Sequence, residues 1–206
     1  MTSDRTTLRP DDGRLLRSER SRELIANALY ELLREGDIRP SAQKVADQAG
    51  VGIRTVFRLY SDMDALYATV NARLEAEVAP LSRGGPPDGA SFSERAESLV
   101  EERVAIFERF GIYMRFTSQN RDRSEFLASN YRKLAVRQRE RLFHWLPELR
   151  DAQPVLLEAL DQATSFEAWD RLRIDQRLSR PRAQAAVAFA TESLLDRLEE
   201  TSSSLR

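Results

Sequence analysis

The chain has 206 residues and a mass of 23.6 kDa, with 32 Lys+Arg against 33 Asp+Glu and 41% hydrophobic residues. This suits one or two domains folded around an apolar core, because single cores stop growing near ~250–300 residues. The absence of cysteine excludes a disulfide framework, a thiolate zinc site and a cysteine nucleophile, and one histidine, His144, leaves no imidazole set for a metal or a Ser–His pair.

No run of about 18 apolar residues occurs, and residues 1–20 lack a signal-peptide core, so a cytoplasmic protein without a membrane partner is expected. Glycine and proline are scarce at 8 each and no alternating apolar pattern runs for any length, which predicts an all-α fold. Residues 1–60 carry 11 Lys+Arg and 9 Asp+Glu, a tilt too slight to identify a nucleic-acid partner. Only Lys44 and Lys133 are lysines; arginine's planar fork suits DNA, although genomic base composition alone accounts for the bias.

In chain order, residues 1–17 are polar and aperiodic and are expected to form a mobile arm. Periodicity begins at Ser18, and Leu24, Ile25, Ala28, Leu29, Leu32 and Leu33 make one stripe ended by Gly36. Short helices are predicted over 42–48 and 53–60, separated by Ala49-Gly50-Val51-Gly52. Ser61-x-x-Asp64 predicts a capped helix over 62–78, and Gly84-Gly85-Pro86-Pro87 marks a loop over 80–90. Ser91-x-x-Glu94 opens a helix to Phe110, Gly111 allows a break, and helix resumes to Asn120. Further helices are expected over 124–146, 154–174 and 181–199, with a frayed tail over 201–206. About nine helices result, three in front (domain 18–61) and six behind (62–200).

The segment over 42–60 carries the function signal. Steeply crossing helices need a small residue where their backbones meet, which Ala46 supplies, and a tight turn needs a residue tolerant of positive φ, which Gly50 supplies four residues on. Val45, Ala49, Val51, Val56 and Leu59 occupy the core-facing positions of a helix-turn-helix. The sequence PSAQKVADQAGVGIRTVFRLYSDMDALY, beginning at Pro40, resembles the N-terminal signature of tetracycline-repressor-like (TetR) regulators over residues 18–70. The resemblance implies a homodimer in which three N-terminal helices bind operator DNA and the remainder forms a ligand-controlled dimerisation domain.

By position, the resemblance implies that helix 53–60 enters the major groove. Arg54 and Arg58 would then read bases, with Thr55 on a phosphate and Ile53 and Tyr60 at the same face. Gln43 matches a position that reaches base or phosphate, and Ser41 would cap its helix and hold a phosphate as well. Two departures stand out: Phe57 replaces the usual tyrosine and loses a hydroxyl, and Met63 replaces a common lysine.

Large apolar residues crowd 91–175, mostly as core. The resemblance implies an effector cavity among them for an apolar ligand with a polar anchor, with Phe107, Tyr113, Arg115, Phe116 and Trp169 as candidate contacts. Ala183, Ala186, Val187, Ala190 and Leu194 form a stripe in the last helix, which either packs within the monomer or makes a four-helix dimer interface with residues 155–166. No enzyme constellation, metal site or cofactor motif is read: Glu101-Glu102 and Glu199-Glu200 are adjacent on helices and do not converge. The expected function is a ligand-released repressor; a ligand-independent regulator and a helical enzyme or carrier are the alternatives.

Overall fold

The computed structural model describes residues 10–204, with side chains over 15–197. Nine α-helices occur among them: α1 (Pro10–Arg34), α2 (Ala42–Gln48), α3 (Ile53–Leu59), α4 (Met63–Val78), α5 (Phe92–Asn120), α6 (Glu125–Trp145), α7 (Pro154–Ala163), α8 (Phe166–Asp170) and α9 (Arg180–Ser204). The fold is all-α. A tight 3-10 turn (Pro147–Asp151) follows α6, and a wider π-type turn (Arg171–Asp175) follows α8.

The helix starts follow capping chemistry. Ser91 accepts from the Glu94 N–H at 3.3 Å while Glu94 accepts from the Ser91 N–H at 2.8 Å, a reciprocal capping box that opens α5. Ser124 caps α6 through the Leu127 N–H at 3.0 Å. At α4 the cap is Asp62, accepting from the Ala65 N–H at 2.8 Å, one residue beyond the expected Ser61. Ser61 instead donates its hydroxyl to Asp62; the Ala65 N–H, and after it this hydroxyl, hold the Asp62 carboxyl below its ordinary pKa.

One apolar cluster joins α1–α3 to the larger body. Ile25, Leu29 and Leu33 on α1, Val45 and Val56 in the hairpin, Leu66 and Val70 on α4, and Phe107, Phe110, Tyr113 and Phe116 on α5 belong to it. A second cluster closes the far end with Leu99, Leu142, Trp145, Leu149, Leu160 and Leu195. Burying each such large side chain stabilises the fold by roughly 1.5–3 kcal/mol. α5 is the shared wall, burying residues on several faces against α1, α6, α8 and α9.

Four expectations about helix extent change. Residues 10–17 belong to α1, so the helix starts well before Ser18; residues 1–9 of the expected arm lie outside the described residues. Gly111 does not break α5: it lies against the Phe166 ring, where an added Cβ would sit 3.3 Å from Cε2. Packing against that ring outweighs glycine's weak helix preference. The expected helix over 154–174 divides at Thr164-Ser165, where Ser165 caps α8 through the Ala168 N–H at 3.2 Å. The number of helices matched expectation only because one merger and one division offset each other. At the C-terminus, the helical backbone reaches Ser204, into the segment expected to fray.

The tightness at Gly111 gives a stability test. Gly111→Leu should overpack the α5–α8 contact and lower unfolding stability by ~1–3 kcal/mol, read as a lower denaturant midpoint. An unchanged midpoint would show that this contact has room to spare.

Candidate nucleic-acid interface and internal cavity

The helix-turn-helix forms as its residue types require. Gly50 has φ +65°, the left-handed conformation that ends α2, and the Val51 N–H donates back to the Ala46 carbonyl at 3.0 Å. Val45 and Ala46 are fully buried, and Val56 and Leu59 turn the inner face of α3 onto α1 and α2. Ser41 caps α2, accepting from the Lys44 N–H at 3.2 Å. The Lys44 ammonium donates to Asp37 at 2.8 Å, and this contact chiefly holds the Asp37 carboxyl below its usual range.

The outward face of α3 carries Arg54, Phe57 and Arg58, all exposed, with the two guanidinium groups one turn apart. Neither arginine makes a hydrogen bond or ion pair within the described residues, so both forks are available to base edges or phosphates. Phe57 offers only an apolar ring there. Gln43 is exposed, with its amide donating to Asp47 at 2.7 Å. Thr55 and Ile53 are half-buried, Ile53 against the core. Tyr60, expected at the same face, is only 3% exposed. It faces α1 instead, donating its hydroxyl to the Arg22 carbonyl at 3.1 Å beneath the Arg22 guanidinium.

Polar contacts tie this unit to the larger body. Asp64 accepts from the Ser124 hydroxyl at 2.6 Å and the Phe126 N–H at 3.1 Å, joining the starts of α4 and α6. Asn120 donates to the Ile38 carbonyl at 2.8 Å, and the Tyr30 and Tyr113 rings meet at 5.0 Å. α4 and α6 meet again where Asn130 donates to Asn71 at 2.8 Å and Arg137 to Glu75 at 2.7 Å. The sequence gives no local sign of these pairs, which are 59 to 62 residues apart.

A cavity of about 540 Å³ opens between α4, α5 and α6. Leu74, Val78, Ile106, Phe107, Phe110, Met114 and Leu134 give it apolar walls. Its volume lies within the ~300–1,000 Å³ of small-molecule sites. Of the candidate ligand contacts, Phe107 and Tyr113 line it, whereas Phe116 borders a smaller neighbouring void. The other two candidate contacts are engaged elsewhere: Arg115 is paired with Asp170, and Trp169 donates its indole N–H to Glu108 at 3.2 Å. The Tyr113 hydroxyl is buried and completes no hydrogen bond; burial, and then the neighbouring Tyr30, push its pKa far up.

Sequence reasoning missed Arg103, which is buried in the cavity wall. Its Nη1 donates to the Thr164 carbonyl and hydroxyl, both at 2.6 Å, and its Nη2 to the Gln138 carbonyl at 2.7 Å. A long charged side chain inside an apolar helical stretch was the available signal. On α9, Ala183 and Val187 are buried within the monomer, Ala190 and Leu194 are half-buried and Ala186 is exposed. Phe189 beside them is 72% exposed, and Val155 on α7 is 78% exposed.

Among the described residues, no group of three or more His, Asp or Glu is placed to hold a metal ion, and no helix is long and apolar enough to cross a membrane. No family model matches the chain, and no curated protein matches it in sequence. Solved structures do. A transcriptional regulator from Rhodococcus sp. Rha1 is 20% identical, with 85% of this chain and 96% of that chain covered and a TM-score of 0.66. A candidate TetR-family transcriptional regulator from Mesorhizobium loti MAFF303099 is 16% identical, with 87% and 97% covered and a TM-score of 0.52. At these identities the likeness establishes the fold: the chain is built as those regulators are, with a helix-turn-helix leading a larger all-α body.

Proposed function

We propose that the protein is a sequence-specific DNA-binding transcriptional regulator, a homodimer that a small molecule in the cavity releases from its operator. The observation that carries the reading is the pair of unengaged guanidinium groups, Arg54 and Arg58, on the outward face of α3. An arginine fork pairs with the O6 and N7 acceptors of guanine in the major groove. Gln43, Ser41 and Thr55 supply further polar contacts around that helix, while Phe57 offers apolar contact with a thymine methyl or sugar. Exposed Arg17 and Arg20 on α1 add phosphate attraction.

The exposed apolar side chains of Phe189 and Val155, with the small residue Ala186, support the dimer. α7 and α9 pack against each other, so the two exposed apolar side chains lie on one helix pair that a second copy can cover. A dimer sets its two α3 helices about 34–36 Å apart, or a multiple, to match successive major grooves. Leu74 connects cavity and reader: it lines the cavity on α4, while Leu66 and Val70 on the same helix sit in the shared core. A ligand that favours the misfit spacing by ~5.5 kcal/mol would carry the population from 1:99 to 99:1.

The first test selects DNA from genomic fragments with the full chain. Arg54→Ala or Arg58→Ala should each cost ~1–3 kcal/mol on the selected site and relax preference at one symmetric pair of positions. Equal losses on every sequence would reassign these arginines to the phosphate backbone. The second test is sedimentation: wild type should run as a dimer, and Phe189→Glu should shift it toward monomer with weakened operator binding. A monomeric wild type would end the dimer reading.

A further inference from the structure

Arg103 is the one cavity-lining cation, among the described residues, that is both buried and without a carboxylate within salt-bridge distance. The other charges around the cavity are accounted for differently. Arg137 is paired with Glu75 and Arg141 with Glu102, while Glu140 and His144 are exposed at the edge. Asp161 is the strongest influence of opposite sign on Arg103 without forming a pair; burial pushes its own pKa up. Burial also pulls the Arg103 pKa down to about 10, so the group stays cationic at neutral pH.

Three acceptors, all uncharged, occupy Nη1 and one hydrogen of Nη2. A guanidinium has five N–H donors, so Nε–H and the second Nη2 hydrogen remain free of protein partners. A desolvated charge satisfied only by neutral dipoles gains most from a counter-ion delivered in the same low-dielectric space. The surrounding walls are apolar or aromatic: Leu74, Ile106, Phe107, Phe110 and Leu134.

We propose that the cavity takes an apolar carboxylate, its hydrocarbon or aryl body against these walls and its carboxylate on the free donors of Arg103. The proposal rests on the reading of the cavity as an effector site and names the chemical class of that effector. A neutral alcohol leaves the charge uncompensated, and an amine adds a second positive charge beside it. Selectivity therefore lies in the anion, while the walls accept either an aromatic or an aliphatic body.

The test is calorimetric titration of the full chain without DNA, using decanoate, decanol and decylamine below their aggregation limits, and 2-naphthylacetate, 2-naphthaleneethanol and 2-naphthaleneethylamine. In at least one series the carboxylate should bind tenfold or more tightly than the alcohol, and the amine not measurably. Arg103→Gln should erase that preference without weakening the alcohol, and Arg103→Lys should restore part of it. Because Arg103 also fastens Thr164, the wild-type comparison decides the matter if these variants fail to fold. Leu134→Trp, which fills the cavity, should abolish binding of all probes. Alcohol binding equal to carboxylate, a preference retained in Arg103→Gln, or no binding by either carboxylate overturns the proposal. A strong carboxylate preference with an operator complex that stays intact supports the ligand class and counts against ligand-driven release.

Discussion

The architecture depends on covering α5. Fourteen of its 29 residues are buried, on more than one side of the helix, and a helix apolar around most of its circumference has no stable existence until neighbours enclose it. α1, α6, α8 and α9 meet that requirement in different places. The helix-turn-helix is not an independent module on a tether: its own core continues into α5 through Leu29, Leu33 and Tyr113. What positions Arg54 and Arg58 in space is thus the same packing that shapes the cavity.

Enclosure is incomplete between α4, α5 and α6, and the cavity is what remains. Leaving such a space empty forfeits dispersion contacts, and burying Arg103 beside it adds a desolvation cost. Arg103 offsets part of this by ordering a weak point of the chain. α7 ends at Thr164, whose carbonyl no longer has a helical donor ahead of it, and the guanidinium supplies one. The Thr164 hydroxyl accepts from Arg103 while donating to the Leu160 carbonyl at 2.7 Å, so Thr164 leaves neither its carbonyl nor its hydroxyl without a partner.

What could be read from sequence was local. Ala46, Gly50 and the spacing of Val45, Val56 and Leu59 sufficed for the helix-turn-helix, because each position answers to a backbone requirement within ten or so residues. The exposure of Arg54 and Arg58 followed from their register on α3. Tyr60 was misplaced because its burial depends on α1, whose Arg22 carbonyl lies 38 residues away and takes its hydroxyl. Gly111 was misread because a tertiary partner, the Phe166 ring, outweighed local propensity, whereas the break at Thr164-Ser165 had a local sign in the Ser165 cap. The same distance hid Arg103's place in the cavity, and it separated Ala183 and Val187, which face the core, from Phe189, which does not.

The contacts between α4 and α6 have a mechanical meaning. Asp64 with Ser124, Asn71 with Asn130, and Glu75 with Arg137 occur in the same order along both helices, so the two run in the same direction and are fastened at three heights. Two rods bonded at intervals bend together as one thicker beam, far stiffer than either alone, provided the fastenings resist sliding. The lowest one, set between a helix cap and a backbone N–H, is the most constrained of the three. A load on the cavity's α4 or α6 wall is therefore shared by both helices and not borne by α4 alone.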